Sequence, residues 1–256
     1  MKPHPYILFD GSFTGFLNAI QQGYEDSHSR ILLTCSENTH TLPLFGPILR
    51  VETDIVKAQR LWGELGLLGT GIQKRVYYGF LHENWELQSE IYQYVAHLFC
   101  PEIEGIELLG IAAGRLLEGP VKEVSRERSE LERKLAFKTN ADGLWYSEIR
   151  PKHNILPLLS RYCRSRFSSD PWLVVDTKRK KSLSAVSGKL TLTSYTQDKQ
   201  NYSRTEPVLY SGLQRVASCE KDGSASPNPK TALLQTPSAQ NQDIQKWGSD
   251  WRQRAV

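Results

Sequence analysis

Apolar residues at helical or strand spacing divide the first 190 residues into short strands and longer helices. Strands are predicted at residues 6–9, 30–34, 48–52 and 172–176. Helices are predicted over 13–24, from residue 55 onward, and over 76–81, 87–99, 106–117 and 121–135. Strands do not alternate regularly with helices in the middle of the chain, so a doubly wound sheet is disfavoured. We predict one α+β domain over residues 5–190, with a small, mainly antiparallel sheet from strands near 6–9, 135–149 and 172–176 and helices packed against it.

Residues 135–159 predict a hairpin that leads into a helix. Apolar runs flank Asp142-Gly143, and such a turn between apolar runs is typical of a β-hairpin. A short turn with His153 and Asn154 follows, and a helix is predicted from about Ile155, because a proline two residues later is tolerated in a first helical turn. Free amides and the helix dipole attract anions at such a position, so we predict an anion-binding turn at Asn154.

Asp10-Gly11-Ser12 forms a second junction, between the strand at 6–9 and the helix at 13–24. Ser12 is a natural N-cap for that helix. Two interpretations stay open: a capped turn, or a backbone cradle in which Gly11 and Ser12 hold a phosphate. The run is too short for a phosphate-loop signature.

The composition changes at about residue 195. Ser, Thr, Gln, Asn, Lys and Pro dominate from there, with few apolar residues. Such a segment buries too little apolar surface to offset the entropy lost on ordering. We therefore predict that residues 195–256 form a largely disordered polar tail.

The overall composition indicates a soluble globular protein. The chain has 256 residues, of which 39% are apolar, and no apolar run reaches the roughly 18–20 residues of a membrane span. The start of the chain lacks the apolar stretch of a signal peptide, so the cytoplasm is the expected compartment. Four scattered cysteines show no Cys-x-x-Cys pair and no close Cys/His spacing. We predict neither a metal site nor a cofactor.

Positive charge is concentrated in residues 150–181. This segment carries nine basic and two acidic residues, an excess of seven positive charges, whereas the rest of the chain has an excess of three negative charges. The alternating charges of residues 121–135 are, by contrast, typical of a solvated helix face. A local basic excess is typical of a surface that binds polyanions. The residues predicted to contact nucleic-acid phosphates are Arg161, Arg164, Lys178, Arg179, Lys180 and Lys181.

His153 is also a candidate for catalysis. An imidazole with a pKa near its ordinary value suits proton transfer at neutral pH. In this hypothesis His153 is a general acid–base and either Asp10 or Asp176 is the carboxylate that orients its ring. The alternative is a turn histidine bonded to backbone, so whether the protein is an enzyme stays open.

Several motifs occur in an order that resembles one bacterial family. They are Phe9-Asp10-Gly11-Ser12-Phe13, Asp54 with Lys57-Ala58, Asp142-Gly143-Leu144-Trp145-Tyr146, Ile149-x-Pro151-x-His153-Asn154-Ile155-Leu156-Pro157-Leu158-Leu159, Arg166-Phe167, and Trp172 with Asp176-x-Lys178-Arg179. The family is uncharacterised and is assigned to DNA metabolism or DNA repair. The resemblance covers roughly residues 6–181. The chain departs from the family at Lys152, where the family tends to have an acidic residue.

The resemblance implies a DNA context. Members of the family are typically encoded beside a radical-SAM protein, and some are fused to a uracil-DNA glycosylase-like domain. It implies no reaction. Together with the basic segment, it leads to the hypothesis of a nucleic-acid-binding accessory protein in DNA repair or modification that acts with a radical-SAM partner. There are two alternatives: an enzyme that acts on nucleic acid or nucleotides through His153, and a pure scaffold for the partner.

Overall fold

The computed structural model describes residues 5–35, 48–139, 144–167, 170–186 and 188–195. The chain divides into two compact units. The helical unit consists of residues 1–133 and 152–155, and the sheet unit consists of residues 134–151 and 156–256. Helices and strands occur together, which confirms the predicted α+β class. The predicted tail, from 196 onward, lies outside the described residues.

The helical unit combines a three-stranded parallel sheet with six helices among its described residues. Its elements are β1 (Tyr6–Phe9), α1 (Phe13–Glu25), β2 (Leu32–Cys35), β3 (Ile48–Arg50), α2 (Ile55–Leu68), α3 (Thr70–Leu81), α4 (Glu86–Phe99), α5 (Ile106–Leu116) and α6 (Glu118–Lys134, whose last residue falls in the other unit). The strand order is β2-β1-β3, and β1 is parallel to both neighbours. The helix α1 supplies the crossover that a parallel β1–β2 pair requires.

The beginning of α1 anchors the core of this unit. Ser12 is its N-cap, and its hydroxyl accepts a hydrogen bond from the amide of Gly15 at 2.9 Å, as predicted. Phe13 then packs edge-on against Trp62 of α2, with 5.2 Å between ring centroids. It also lies 5.2 Å from the ring of Phe80 in α3. Aromatic packing therefore ties α1 to both of the following helices.

The helices α4 and α5 approach each other closely at Gly110. A Cβ atom at Gly110 would lie 2.2 Å from the Cβ atom of His97, well inside van der Waals contact. Only glycine leaves the space that this approach needs. Gly63 in α2 differs, because a Cβ atom there would meet nothing within 4 Å.

The sheet unit contains a five-stranded sheet and a short helix. Its elements are β4 (Lys138–Thr139), β5 (Trp145–Ile149), a 3₁₀ turn (Leu156–Leu159), α7 (Ser160–Phe167), β6 (Trp172–Asp176), β7 (Lys181–Val186) and β8 (Lys189–Ser194). The order is β4-β5-β6-β7-β8. Pairing is antiparallel except between β5 and β6, which are parallel. The antiparallel β4–β5 pair agrees with the predicted hairpin, whose turn at 140–143 lies outside the described residues.

Three sequence predictions about the strands need correction. The strand at 6–9 does not share a sheet with those near 135–149 and 172–176, because it pairs with β2 and β3 instead. The central β5–β6 pair is parallel, since α7 lies on the connection between them. The strands β7 and β8 were not predicted; the four-residue basic run at 178–181, whose last residue begins β7, was interpreted as a phosphate-binding surface.

The described residues of the sheet unit continue to Tyr195. Tyr195 is buried in a cluster with Leu144, Leu173 and Val175. The amide of Tyr195 also donates to the carbonyl of Lys180 at 2.6 Å. Within the described part of the chain, no helix combines the length and apolarity needed to cross a membrane.

Candidate functional site

His153 is held in the helical unit by a carboxylate on α6. Its ring is almost fully buried, with 3% of the residue exposed. Glu127 lies 2.6 Å from its Nδ1 atom and accepts a hydrogen bond from its backbone amide at 3.0 Å. The same carboxylate accepts from the amide of Lys152. Glu127 therefore fixes both the turn and the orientation of the imidazole.

This contact determines which nitrogen of His153 carries a proton. An ionised carboxylate only accepts hydrogen bonds, so Nδ1 of His153 must donate to Glu127. In the neutral ring Nε2 then has a free lone pair. Nε2 is buried and has no hydrogen-bond partner among the described residues. Such an atom costs free energy unless something binds to it.

His82 and Glu123 face the free nitrogen of His153. His82 follows α3, and its Nε2 atom lies 3.6 Å from Oε2 of Glu123 on α6. Nε2 of His153 lies 3.7 Å from the same oxygen. The imidazole rings are 4.4 Å apart between centroids, and one ligating atom from each of the three residues lies within 4.8 Å of the others. We call His82, Glu123 and His153 the histidine–glutamate cluster.

The cluster is buried on its histidine side and open on its glutamate side. Burial, and next the neighbouring His153, lowers the pKa of His82. The Lys152 ammonium group lies 2.9 Å from Oε2 of Glu123, and this hydrogen bond lowers the pKa of Glu123. The Lys152 side chain is 70% exposed, whereas Glu123 is half exposed. The glutamate is thus ionised at neutral pH and reachable from solvent.

Sequence reasoning missed this cluster because its members lie far apart in the chain. His82, Glu123 and His153 show none of the short spacings that indicate metal ligands. The one available signal was the spacing of Glu123 and Glu127, which puts both on one face of α6. Other charges of α6 do form exposed i, i+4 ion pairs, such as Arg126 with Glu130, as expected of a solvated face.

The carboxylate bonded to His153 is Glu127 and neither of the two aspartates named from the sequence. Asp10 accepts hydrogen bonds from the amide and hydroxyl of Ser12, at 2.9 and 2.6 Å, and from the hydroxyl of Thr53 at 2.7 Å. These contacts match the capped-turn interpretation of Asp10-Gly11-Ser12; Gly11 has a φ of 81°, in the left-handed region. Catalytic roles for Asp10 and Asp176, and anion binding by Gly11 and Ser12, stay predictions.

The backbone amides of the turn before Asn154 are bonded within the protein. The carboxylate of Glu127 accepts hydrogen bonds from the amides of Lys152 and His153. The amide of Asn154 donates to the carbonyl of Leu81 at 2.9 Å. Binding of an external anion at Asn154 stays a prediction, and in this structure the three successive amides already have partners.

Asp176 and Arg179 hold the turn between β6 and β7 in the sheet unit. Asp176 is fully buried and accepts from the amides of Lys178 and Arg179 at 2.9 and 3.1 Å. The Arg179 guanidinium donates to Asp176 at 2.9 Å and to the carbonyl of Pro151 at 3.2 Å. Only 8% of the Arg179 side chain is exposed. In this structure Arg179 therefore neutralises a buried carboxylate.

The remaining basic residues of the predicted phosphate-binding set are more accessible. Arg161 and Arg164 are exposed on α7, whereas Cys163 and Phe167 of the same helix are buried. Lys178 and Lys180 are exposed in the β6–β7 turn, and Lys181 is half-buried. No acidic side chain in the described part of the chain pairs with Arg161 or Arg164.

Comparison with known proteins identifies a family without a described activity. No curated protein is significantly similar to the sequence. A family model described as DUF4130, a domain of unknown function, matches residues 86–220. The matched region contains Glu123, Glu127, His153 and α7, whereas His82 precedes it. The expectation of an uncharacterised family is thus confirmed. Because the match spans more than half of the chain, the protein belongs to the DUF4130 family.

Proposed function

We propose that this protein binds the phosphate backbone of DNA through exposed cations of its sheet unit, as an accessory protein in DNA repair or modification. The observation that carries the proposal is the placement of Arg161 and Arg164. Both are exposed on α7 and stand three residues apart, and neither has an acidic partner among the described residues.

The geometry of α7 suits contacts to phosphate. Residues three apart on a helix lie on one face, about 5–6 Å apart at their Cβ atoms. Two long arginine side chains from that face can reach neighbouring phosphates, which lie about 7 Å apart along a strand, and each guanidinium can donate two parallel hydrogen bonds. Contacts of this kind position a protein on a duplex without reading its sequence.

The exposed lysines of the β6–β7 turn support the same role. Lys178 and Lys180 belong to the same compact unit as α7. Lys180 adopts a left-handed backbone conformation, with φ at 51°. Arg179, between them, forms an ion pair with the buried Asp176. We therefore assign it a structural role and exclude it from the proposed phosphate-binding residues.

The proposal is tested by comparing two charge-matched double variants. Arg161→Ala with Arg164→Ala removes two charges from α7. Arg115→Ala with Arg133→Ala removes two exposed charges from the helical unit and serves as the control. By fluorescence anisotropy on labelled duplex DNA at low salt, we expect the first variant to bind at least about tenfold more weakly and the control to bind like the parent. Equal losses in both variants would show that only net charge matters.

The radical-SAM partner is a separate part of the proposal. Its support is the family resemblance of the sequence motifs, which implies a radical-SAM neighbour and a DNA context. Co-purification of the two proteins, with and without duplex DNA, tests it. A complex that forms only with DNA points to co-recruitment on the duplex, and absence of any complex removes the partner from the proposal.

A second candidate function is an enzyme in which His153 transfers a proton. The observation that favours it is the 2.6 Å contact between Nδ1 of His153 and Glu127, which orients the ring and leaves Nε2 free. This is the arrangement of a general base whose second nitrogen is held by a carboxylate. Its test is turnover of damaged or modified duplex DNA by the parent protein. Loss of turnover in His153→Gln, but not in His28→Gln, is the expected result.

A further inference from the structure

We propose that His82, Glu123 and His153 bind one divalent transition-metal ion of the zinc and iron(II) class, with Glu127 as the residue that positions the His153 ring. This inference is independent of DNA binding by α7. It gives Nε2 of His153 a role that excludes proton transfer, because a nitrogen that donates its lone pair to a metal cannot accept a proton.

The donor set matches the preferences of this class of metal. Two imidazole nitrogens and one carboxylate oxygen form the protein ligands of many catalytic zinc sites and of nonhaem iron(II) sites. Hard ions such as Mg²⁺ and Ca²⁺ prefer oxygen ligands and fit this set poorly. Three protein ligands leave at least one position for water or a substrate.

The distances are close to those a bound ion requires. Ligands about 2.0–2.1 Å from a tetrahedral zinc ion lie about 3.4 Å from one another. The two nitrogen–oxygen distances of the cluster are 3.6 and 3.7 Å. Each of these two pairs therefore needs to approach by only a few tenths of an ångström. The three atoms all lie within 4.8 Å of one another, so the third separation exceeds that of a tetrahedral site by at most about 1.4 Å.

An unsatisfied atom points independently to a cation. The Glu127 contact leaves a lone pair on Nε2 of His153, buried and without a hydrogen-bond partner. A carboxylate oxygen of Glu123 lies 3.7 Å from the same Nε2 atom. A lone pair and a carboxylate repel each other unless a positive charge lies between them. A metal ion bound by both removes that repulsion.

Glu127 supplies the outer contact that histidine ligands of metals commonly have. A ligating imidazole almost always donates its other N–H to a carboxylate, carbonyl or water, which fixes the ring and raises its basicity. Glu127 does this for His153, and the amides of Lys152 and His153 fix the carboxylate in turn. The ring is therefore preorganised for a metal before any ion arrives.

Lys152 competes with the metal for Glu123. Its ammonium group contacts the oxygen that faces both histidines, at 2.9 Å. The side chain is 70% exposed, so it can rotate into solvent when an ion binds. Removal of this positive charge should strengthen metal binding by about fivefold, because two like charges a few ångströms apart repel by about 1 kcal/mol even in water.

The experiment is a metal titration of the full chain after treatment with a chelator. Co²⁺ is added first and followed by its visible absorption, and Zn²⁺ is then added to displace it. We expect one equivalent of Co²⁺ to bind and one equivalent of Zn²⁺ to abolish the absorption. Competition with a coloured chelator gives the affinity for Zn²⁺.

Variants separate this site from adventitious binding. His82→Ala and Glu123→Ala, which alter the less buried ligands, should each weaken Zn²⁺ binding by roughly a hundredfold. Glu127→Gln should weaken it by about 10–100-fold, Lys152→Ala should strengthen it, and His28→Gln should leave it unchanged. Circular dichroism confirms that each variant is folded.

Two results would overturn the proposal. One is the absence of stoichiometric Co²⁺ and Zn²⁺ binding by the parent, which would leave the cluster as a purely structural contact between α6 and the His153 turn. The other is equal affinity in the parent, His82→Ala and Glu123→Ala, which would place the metal elsewhere on the chain.

Discussion

Replacement of Glu127 by alanine should destabilise the helical unit more than its partial exposure suggests. The side chain is 20% exposed, yet its carboxylate accepts hydrogen bonds from two backbone amides and from the ring of His153. Hydrogen bonds to a charged group contribute about 1.5–3 kcal/mol each. Because the three share one acceptor they do not add fully, and we expect a loss of about 3 kcal/mol in the free energy of unfolding.

The loss corresponds to a large shift in the melting temperature. For a chain of this size, 1 kcal/mol changes the melting temperature by roughly 2–4 °C, so Glu127→Ala should melt about 6–12 °C lower. Thermal and urea unfolding followed by circular dichroism, with a chelator present to exclude metals, measure the effect. Glu127→Gln should lose about half as much, because the amide keeps an acceptor but no charge.

Glu64→Ala is the matched control for this prediction. This substitution also removes a carboxylate from a helix, but the ion pair of Glu64 with Arg60 is an exposed i, i+4 contact. Such a pair contributes about 0.3–0.5 kcal/mol, so the melting temperature should fall by no more than about 2 °C. If Glu127→Ala has the same melting temperature as this control, the reasoning about the buried contacts of His153 is wrong.

Three further changes test the fold. A chain ended after Tyr195 should unfold at the parent's temperature in a thermal scan, because the composition of residues 196–256 predicts a tail that does not pack; a fall of several degrees would show that it packs on the domain. Arg179→Ala should destabilise by about 3–5 kcal/mol in urea, because it leaves the buried carboxylate of Asp176 unpaired; an effect below 1 kcal/mol would contradict this. Gly110→Ala should cost about 1–3 kcal/mol by overpacking, whereas Gly63→Ala should stabilise by about 0.5–1 kcal/mol; the same sign for both would refute the packing argument.

Local signals predicted the elements of the helical unit well. Ser12 and Asp54 mark helix starts because their side chains accept hydrogen bonds from amides two or three residues later, a preference visible in the sequence. The apolar stripe of α2 likewise identified its buried face, which includes Leu61 and Leu65. Such signals act over a few residues, so the sequence alone reveals them.

Strand partners could not be predicted in the same way. The apolar run Tyr6–Phe9 indicates a strand but carries no information on whether it pairs with β2 and β3 or with β5 and β6. Pairing depends on the crossovers between strands and on which faces need cover, and both are properties of the assembled chain. The prediction of one shared sheet failed for this reason.

The candidate site was likewise predictable only where its signals are local. The sequence singled out His153 because it follows a strand and precedes a helix, and the structure does place it in a fixed, buried position. Its partners Glu127, Glu123 and His82 come from other elements, and only the folded chain brings α6, the end of α3 and the His153 turn together. The charges of α6 are typical of a solvated face, and the four-residue spacing of Glu123 and Glu127 is shared by exposed charged pairs of the same helix, such as Arg126 with Glu130.

The salt dependence of DNA binding tests the proposed function most directly. If four to six phosphates are engaged, the logarithm of the binding constant should fall with the logarithm of salt concentration with a slope of about −4 to −5. Replacement of Arg161 and Arg164 by alanine should flatten that slope by about two and lower affinity equally for all duplex sequences. A parent protein that does not bind DNA even at low salt, or a double variant with the parent's slope, would contradict phosphate binding by α7.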